Sequence, residues 1–98
     1  MSASLRGPAA DTVTACFSVH ASADPGVMTR VIQVFSRRGM VPTAWHSSVV
    51  GSDGAELQID VQMAGIEAAQ SELLAESMRR IVNVACVLTS EKRSALTA

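Results

Sequence analysis

The chain has 98 residues, a net charge near −1, 48% apolar and 17% charged residues. This is one small domain, too apolar for a disordered segment and without the dense basic run that a nucleic-acid backbone requires. Phe17, Phe35 and Trp45 are its only aromatic residues, too few for a platform on which bases stack.

No apolar run approaches the roughly 20 residues that span a bilayer. The opening MSASLRGPAADT lacks the apolar stretch of a secretory signal, so a cytoplasmic protein with no membrane association is expected. Cys16 and Cys86 do not make a disulfide framework and are read as free thiols.

Residues 1–11 mix Ser, Ala, Gly and Pro without periodicity and are expected to form a flexible N-terminal tail. From Thr12 the residues alternate: Val13, Ala15, Phe17 and Val19 face one way, and Thr14, Cys16, Ser18 and His20 the other. Period two with one polar face predicts a half-buried strand. A helix is predicted from Pro25 to Arg38, with Met28, Val31, Ile32 and Phe35 as its apolar stripe and Val27 and Val34 beside it. Asp24 suits its N-cap, Pro25 its first position, Arg37 and Arg38 its C-terminal end, and Gly39 the left-handed residue that stops it.

A second strand is predicted over Val41–Val50. Pro42 makes it an edge strand, because proline has no N–H to give to a ladder. The turn signal GSDG at 51–54 leads into a third strand, with Ala55, Leu57, Ile59, Val61 and Met63 inward, so the pair reads as a hairpin. A second helix is predicted from Ile66 to Arg79. Its stripe would be Ile66, Ala69, Leu73 and Leu74, with Met78 close by, and Glu67, Ser71, Glu72 and Glu76 would face water. A last strand follows over Ile81–Leu88, with Val82, Val84, Cys86 and Leu88 on one side, which would put Cys86 and Cys16 on opposite faces of the sheet. Residues 91–98 are expected to be a flexible C-terminal tail.

The order βαββαβ predicts an α+β, ferredoxin-like sandwich: a four-stranded antiparallel sheet with two helices on one face. The first and third strands would lie centrally and the second and fourth at the edges. The domain is expected to cover residues 12–90.

HExxH, CxxC, P-loop and GxSxG patterns are all absent. His20 and His46 could approach each other on the open sheet face, but no third ligand has suitable spacing for a metal. Glu56 and Asp60 share a strand face, which reads as a solvated surface. No catalytic residues, metal ligands or cofactor are assigned.

The junction between the first strand and the first helix stands out. A helix start exposes unpaired N–H groups and partial positive charge, where a small carboxylate can bind, and Gly26 would let a ligand come close to the backbone. The same residues also serve as an ordinary helix start.

The stretch DPGVMTRVIQVFSRRGMVPTAW resembles the signature of ACT domains, and the resemblance extends over about Thr12 to Ser90. RVIQVFSRRG and the closing MRRIVNVACV resemble in particular the regulatory (small) subunits of acetolactate synthase. The resemblance implies a non-catalytic regulatory protein that binds a small amino-acid effector between paired domains. It implies a homodimer, and a catalytic large subunit that depends on thiamine diphosphate as partner, in branched-chain amino-acid biosynthesis. The effector-binding positions it implies are Ala23, Asp24, Pro25, Gly26, Val27, Met28 and Val41. In valine-sensitive small subunits asparagines stand where this chain has Ala23 and Val41, so a weak response to valine is implied. The length resembles that of short small subunits that lack an extra C-terminal domain.

Two other readings compete. One is a free-standing amino-acid-sensing ACT module with a different partner. The other is a small ferredoxin-like metal-binding protein or enzyme built on His20, His46 and the acidic sheet face.

Overall fold

The computed structural model describes residues 12–92. The tail expected over 1–11 and residues 93–98 of the C-terminal tail lie outside them. Six elements follow in the predicted order: β1 (Thr12–Ser22), α1 (Pro25–Ser36), β2 (Ala44–Val50), β3 (Glu56–Glu67), α2 (Ala68–Arg79) and β4 (Val84–Lys92). The strands form one sheet in the order β2-β3-β1-β4, and every neighbouring pair is antiparallel. The central and edge strands are those expected. Among the described residues no helix is long and apolar enough to cross a membrane.

The core lies between the sheet and the helices. Ala15, Phe17 and Val19 of β1 and Leu57, Ile59 and Val61 of β3 meet Val27, Val31, Val34 and Phe35 of α1 and Leu74, Ala75 and Met78 of α2. Burying each of the larger side chains contributes about 1.5–3 kcal/mol. Phe17 and Phe35 pack edge to face, with centroids 6.0 Å apart and ring planes at 71°.

Helix α1 ends two residues earlier than predicted. The N–H of Met40 bonds the Phe35 carbonyl and that of Gly39 bonds the Ser36 carbonyl, a Schellman closure with Gly39 at φ 70°. Its buried stripe is rotated from the predicted one. Val27, Val31, Val34 and Phe35 go inward, while Met28 and Ile32 stay 38% and 39% exposed. Strand β2 begins at Ala44 instead of Val41, so Pro42 precedes the ladder.

The larger departures all trace to two bulges. The β1–β3 register passes from Val13↔Ile66 to Ala15↔Met63, which inserts one extra residue into β3, beside Gly65 at φ 71°. The bulge turns Ile66 into the core from the end of a strand, so Ile66 does not open α2. Helix α2 then starts at Ala68, and Ser71, Leu74, Ala75 and Met78 form its inner face, with Leu73 left 61% exposed. Ser71, expected in water, is buried at little cost because its hydroxyl donates to the Ala68 carbonyl at 2.7 Å.

The second bulge lies in β4, where pairing passes from His20↔Cys86 to Ala21↔Val84. Val84 packs against the core and Val87 is buried in it, while Cys86 moves to the open face with His20. The thiols therefore share a face, contrary to the parity expectation. Cys16 lies opposite Ser90, four residues along β4 from Cys86, and that spacing of about 13 Å is beyond disulfide reach. β4 also runs past the expected tail boundary: Glu91 and Lys92 pair with Ala15 and Thr14.

Candidate functional site at the turn between β1 and α1

The turn at 22–27 is fixed from three sides. The Ser22 N–H donates to the Asn83 carbonyl and the Ala23 N–H to the Ala55 carbonyl, each at 2.9 Å. Asp24 takes an extended conformation at the N-cap. One carboxylate oxygen accepts the Gly26 N–H at 2.9 Å and the other accepts the Asn83 amide at 3.0 Å. The Val27 N–H donates to the Asp24 carbonyl at 3.0 Å. Pro25 has no N–H, so the first-turn donors of Gly26 and Val27 are both engaged within the chain.

What the turn offers outward is apolar. Ala23, Asp24, Pro25 and Met28, with Val49 of β2 and Leu57 of β3, line a small open hollow of about 180 Å³. Its size suits a short aliphatic side chain. The structure thus gathers four of the seven sequence-predicted positions around one hollow. Gly26 sits behind them, where an added Cβ would lie 3.5 Å from both the Arg30 guanidinium and the Asp24 carboxylate. The Val27 side chain is wholly buried in the core. Val41 is 77% exposed beyond the opposite end of α1, and a twelve-residue helix is about 18 Å long.

Three contributors were not foreseen. Val49 and Leu57 face each other across β2 and β3 and close the hollow. Asn83 reaches the turn from the connection before β4, at φ 77°. Asn is among the side chains that tolerate such a conformation, so a bend was legible there, but its partner 59 positions away was not.

On the open sheet face the register keeps the two histidines apart. His46 lies opposite Asp60 and His20 opposite Gln58 and Cys86. His46 is level with Ser18, not with His20, so the two histidines are separated by two strand spacings and by two residues along the strand, roughly 12 Å between their backbone positions. Among the described residues no three His, Cys, Asp or Glu side chains gather as metal ligands would. His20 Nε2 instead lies 3.2 Å from the Ser18 hydroxyl.

Among solved structures, the chain is similar to the ACT domain of GTP pyrophosphokinase from Chlorobium tepidum. The crystal form aligns with a TM-score of 0.67 at 11% identity, covering 81% of this chain and 99% of that one. The solution form gives 0.67 and 11%, covering 82% and 88%. The C-terminal domain of the MgtC protein from Mycobacterium tuberculosis aligns with a TM-score of 0.66 at 14% identity, covering 90% and 96%. At these identities the likeness speaks for the fold alone. None of the curated proteins matches the chain. The family model of the ACT-like domain matches residues 8–96. With the βαββαβ fold and the hollow at the DPG turn in place, the conclusion follows that this chain belongs to the ACT-like domain family, whose members are regulatory ligand-binding modules and not catalysts.

Proposed function

We propose that the chain is a homodimeric regulatory subunit that binds a small aliphatic amino acid at the DPG turn and modulates an acetolactate synthase large subunit. One observation carries the effector and dimer parts of this reading: the hollow opens beside an uncovered edge. Val49, which lines it, is 64% exposed on β2, and among the described residues β2 pairs with β3 alone. Met28 and Ile32 extend the same apolar strip along α1. A second chain adding its own β2 there would pair the free edge and cover the strip. Two-fold pairing sets the α1 helices antiparallel, which would bring Val41 of one chain toward the hollow of the other and unite positions that lie a helix length apart in one chain.

The engaged donors at Gly26 and Val27 favour the same arrangement. The hollow would take the aliphatic side chain, and the charged ends of the amino acid would find partners across the interface. The synthase as partner rests on the likeness of RVIQVFSRRG and MRRIVNVACV to that subfamily. Gel filtration of the chain mixed with an acetolactate synthase large subunit tests it. Co-elution is expected, and separate elution at micromolar concentrations would remove the synthase from the reading while leaving the effector site standing.

A further inference from the structure

A second, larger depression lies away from the turn. It measures about 570 Å³, within the range of small-molecule sites, and runs between α1 and the C-terminal half of α2. Arg30, Arg37, Arg38 and Arg80 line it, and no carboxylate does. In a chain whose net charge is near −1, that is a marked separation of charge.

Helix-end electrostatics accounts for part of it. Arg38 bonds the Val34 carbonyl at 3.0 Å, as a C-terminal cation should. The same effect does not place Arg30 in the middle of α1, nor bring it into one groove with the arginines that follow the ends of α1 and α2. The acidic residues of α2 do not answer them: Glu76 pairs with Arg79, whose other nitrogen donates to the Val87 carbonyl of β4 at 3.0 Å. Arg30 and Arg80 have no ion pair among the described residues. Part of the groove is already fixed in position, since Arg38 also donates to the Ser77 hydroxyl at 3.1 Å.

We propose that this groove binds a small, multiply charged phosphate compound, such as an inorganic or organic di- or triphosphate. Guanidinium forks match phosphate oxygens two at a time, and four positive charges suit a ligand carrying three or four negative ones. The lining has no aromatic residue, only Val34 and Ile81 as apolar ones. Recognition therefore runs through phosphate charge, without base stacking and without the aromatic anchors usual at protein interfaces. The groove shares no lining residue with the hollow at the DPG turn, although the Arg30 guanidinium lies within about 7 Å of the Asp24 carboxylate, and the proposal does not depend on the effector reading.

The test is calorimetric titration of the full chain with tripolyphosphate at 0.15 M salt. One-to-one micromolar binding is expected. The Arg37→Gln/Arg80→Gln variant should weaken it at least tenfold, and Lys92→Gln, which removes a charge elsewhere, less than twofold. Amide NMR shifts on the unaltered chain should centre on Arg30, Arg37, Ser77 and Arg80, which keeps the test valid if the variant folds poorly. The proposal is overturned by absence of binding, by equal losses in the two variants, by shifts spread over the surface, or by binding of hexaglutamate in preference to tripolyphosphate.

Discussion

Asn83 donates its side-chain amide to Asp24 at 3.0 Å across 59 positions of sequence, while the other oxygen of the same carboxylate accepts the Gly26 N–H at 2.9 Å. One carboxylate thus starts α1 and ties the connection before β4 to that start. Replacing Asp24 by Ala removes the N-cap, a loss of about 1 kcal/mol, and leaves the Asn83 amide without its partner. Asn83→Ala should cost about 2 kcal/mol, because it loses the hydrogen bond and also strains a left-handed residue. Asn83→Gly keeps the backbone free and should cost less than Asn83→Ala. Urea unfolding of the three variants checks the order, and a coupling of about 0.5–1 kcal/mol is expected in the Asp24/Asn83 double-mutant cycle.

Two glycines should respond in opposite directions. At Gly65, φ is 71° and an added Cβ would meet nothing within 4 Å. The penalty for Gly65→Ala is then conformational alone, about 1–2 kcal/mol. Gly26 lies in the first turn of α1 without a positive φ, and an added Cβ would make ordinary contact at 3.5 Å. Gly26→Ala should therefore leave stability unchanged or raise it by up to about 1 kcal/mol. Gly26 does not line the hollow and its N–H is already bonded to Asp24, so by the proposed function Gly26→Ala should leave binding of a branched-chain amino acid within about twofold of the unaltered chain, whereas Met28→Lys, which puts a charge into the hollow, should abolish it. Thermal unfolding and calorimetry on the same samples separate the two effects.

Phe35 is fully buried and packs edge to face on Phe17 at 6.0 Å. Phe35→Ala should cost about 3–5 kcal/mol. A domain of this size has little more than that to lose, so the variant is expected to be largely unfolded at 37 °C by circular dichroism. Phe35→Leu keeps most of the volume and should remain folded.

Val49 tests the proposed dimer. It is exposed on the edge strand and makes no contribution to the buried core, so Val49→Lys should leave the fold of the single chain intact. Sedimentation equilibrium is expected to show a dimer for the unaltered chain and a monomer for the variant. A monomer in both cases would set the two-chain site aside.

The fold was legible because its central strands alternate cleanly over Ala15–Ala21 and Leu57–Val61, before the β3 bulge breaks the pattern. Phe17 and Val19, and Leu57, Ile59 and Val61, fix one buried face each; β2 is at the edge as expected, although Pro42, from which that was read, lies before the strand. What escaped the sequence were the places where one extra residue reverses parity. Nothing in Met63-Ala64-Gly65-Ile66 distinguishes a bulge that turns Ile66 inward from a helix that begins with it. In β4 the same ambiguity put Cys86 on the wrong face. The rotation of α2 escaped because Leu73 and Leu74 are equally apolar, and because Ser71, polar by type, lies on the buried face with its hydroxyl bonded to the Ala68 carbonyl. At the site, the turn residues were legible because their chemistry is local. Val49, Leu57 and Asn83 arrive there by topology, which no local pattern encodes.

The most direct test of the regulatory reading is the turnover of a cognate, thiamine-diphosphate-dependent acetolactate synthase large subunit, measured as this chain is titrated in. Turnover should rise severalfold and level off at a fixed stoichiometry, with little change when valine is added. A flat titration over the whole concentration range, with both proteins folded, would contradict it.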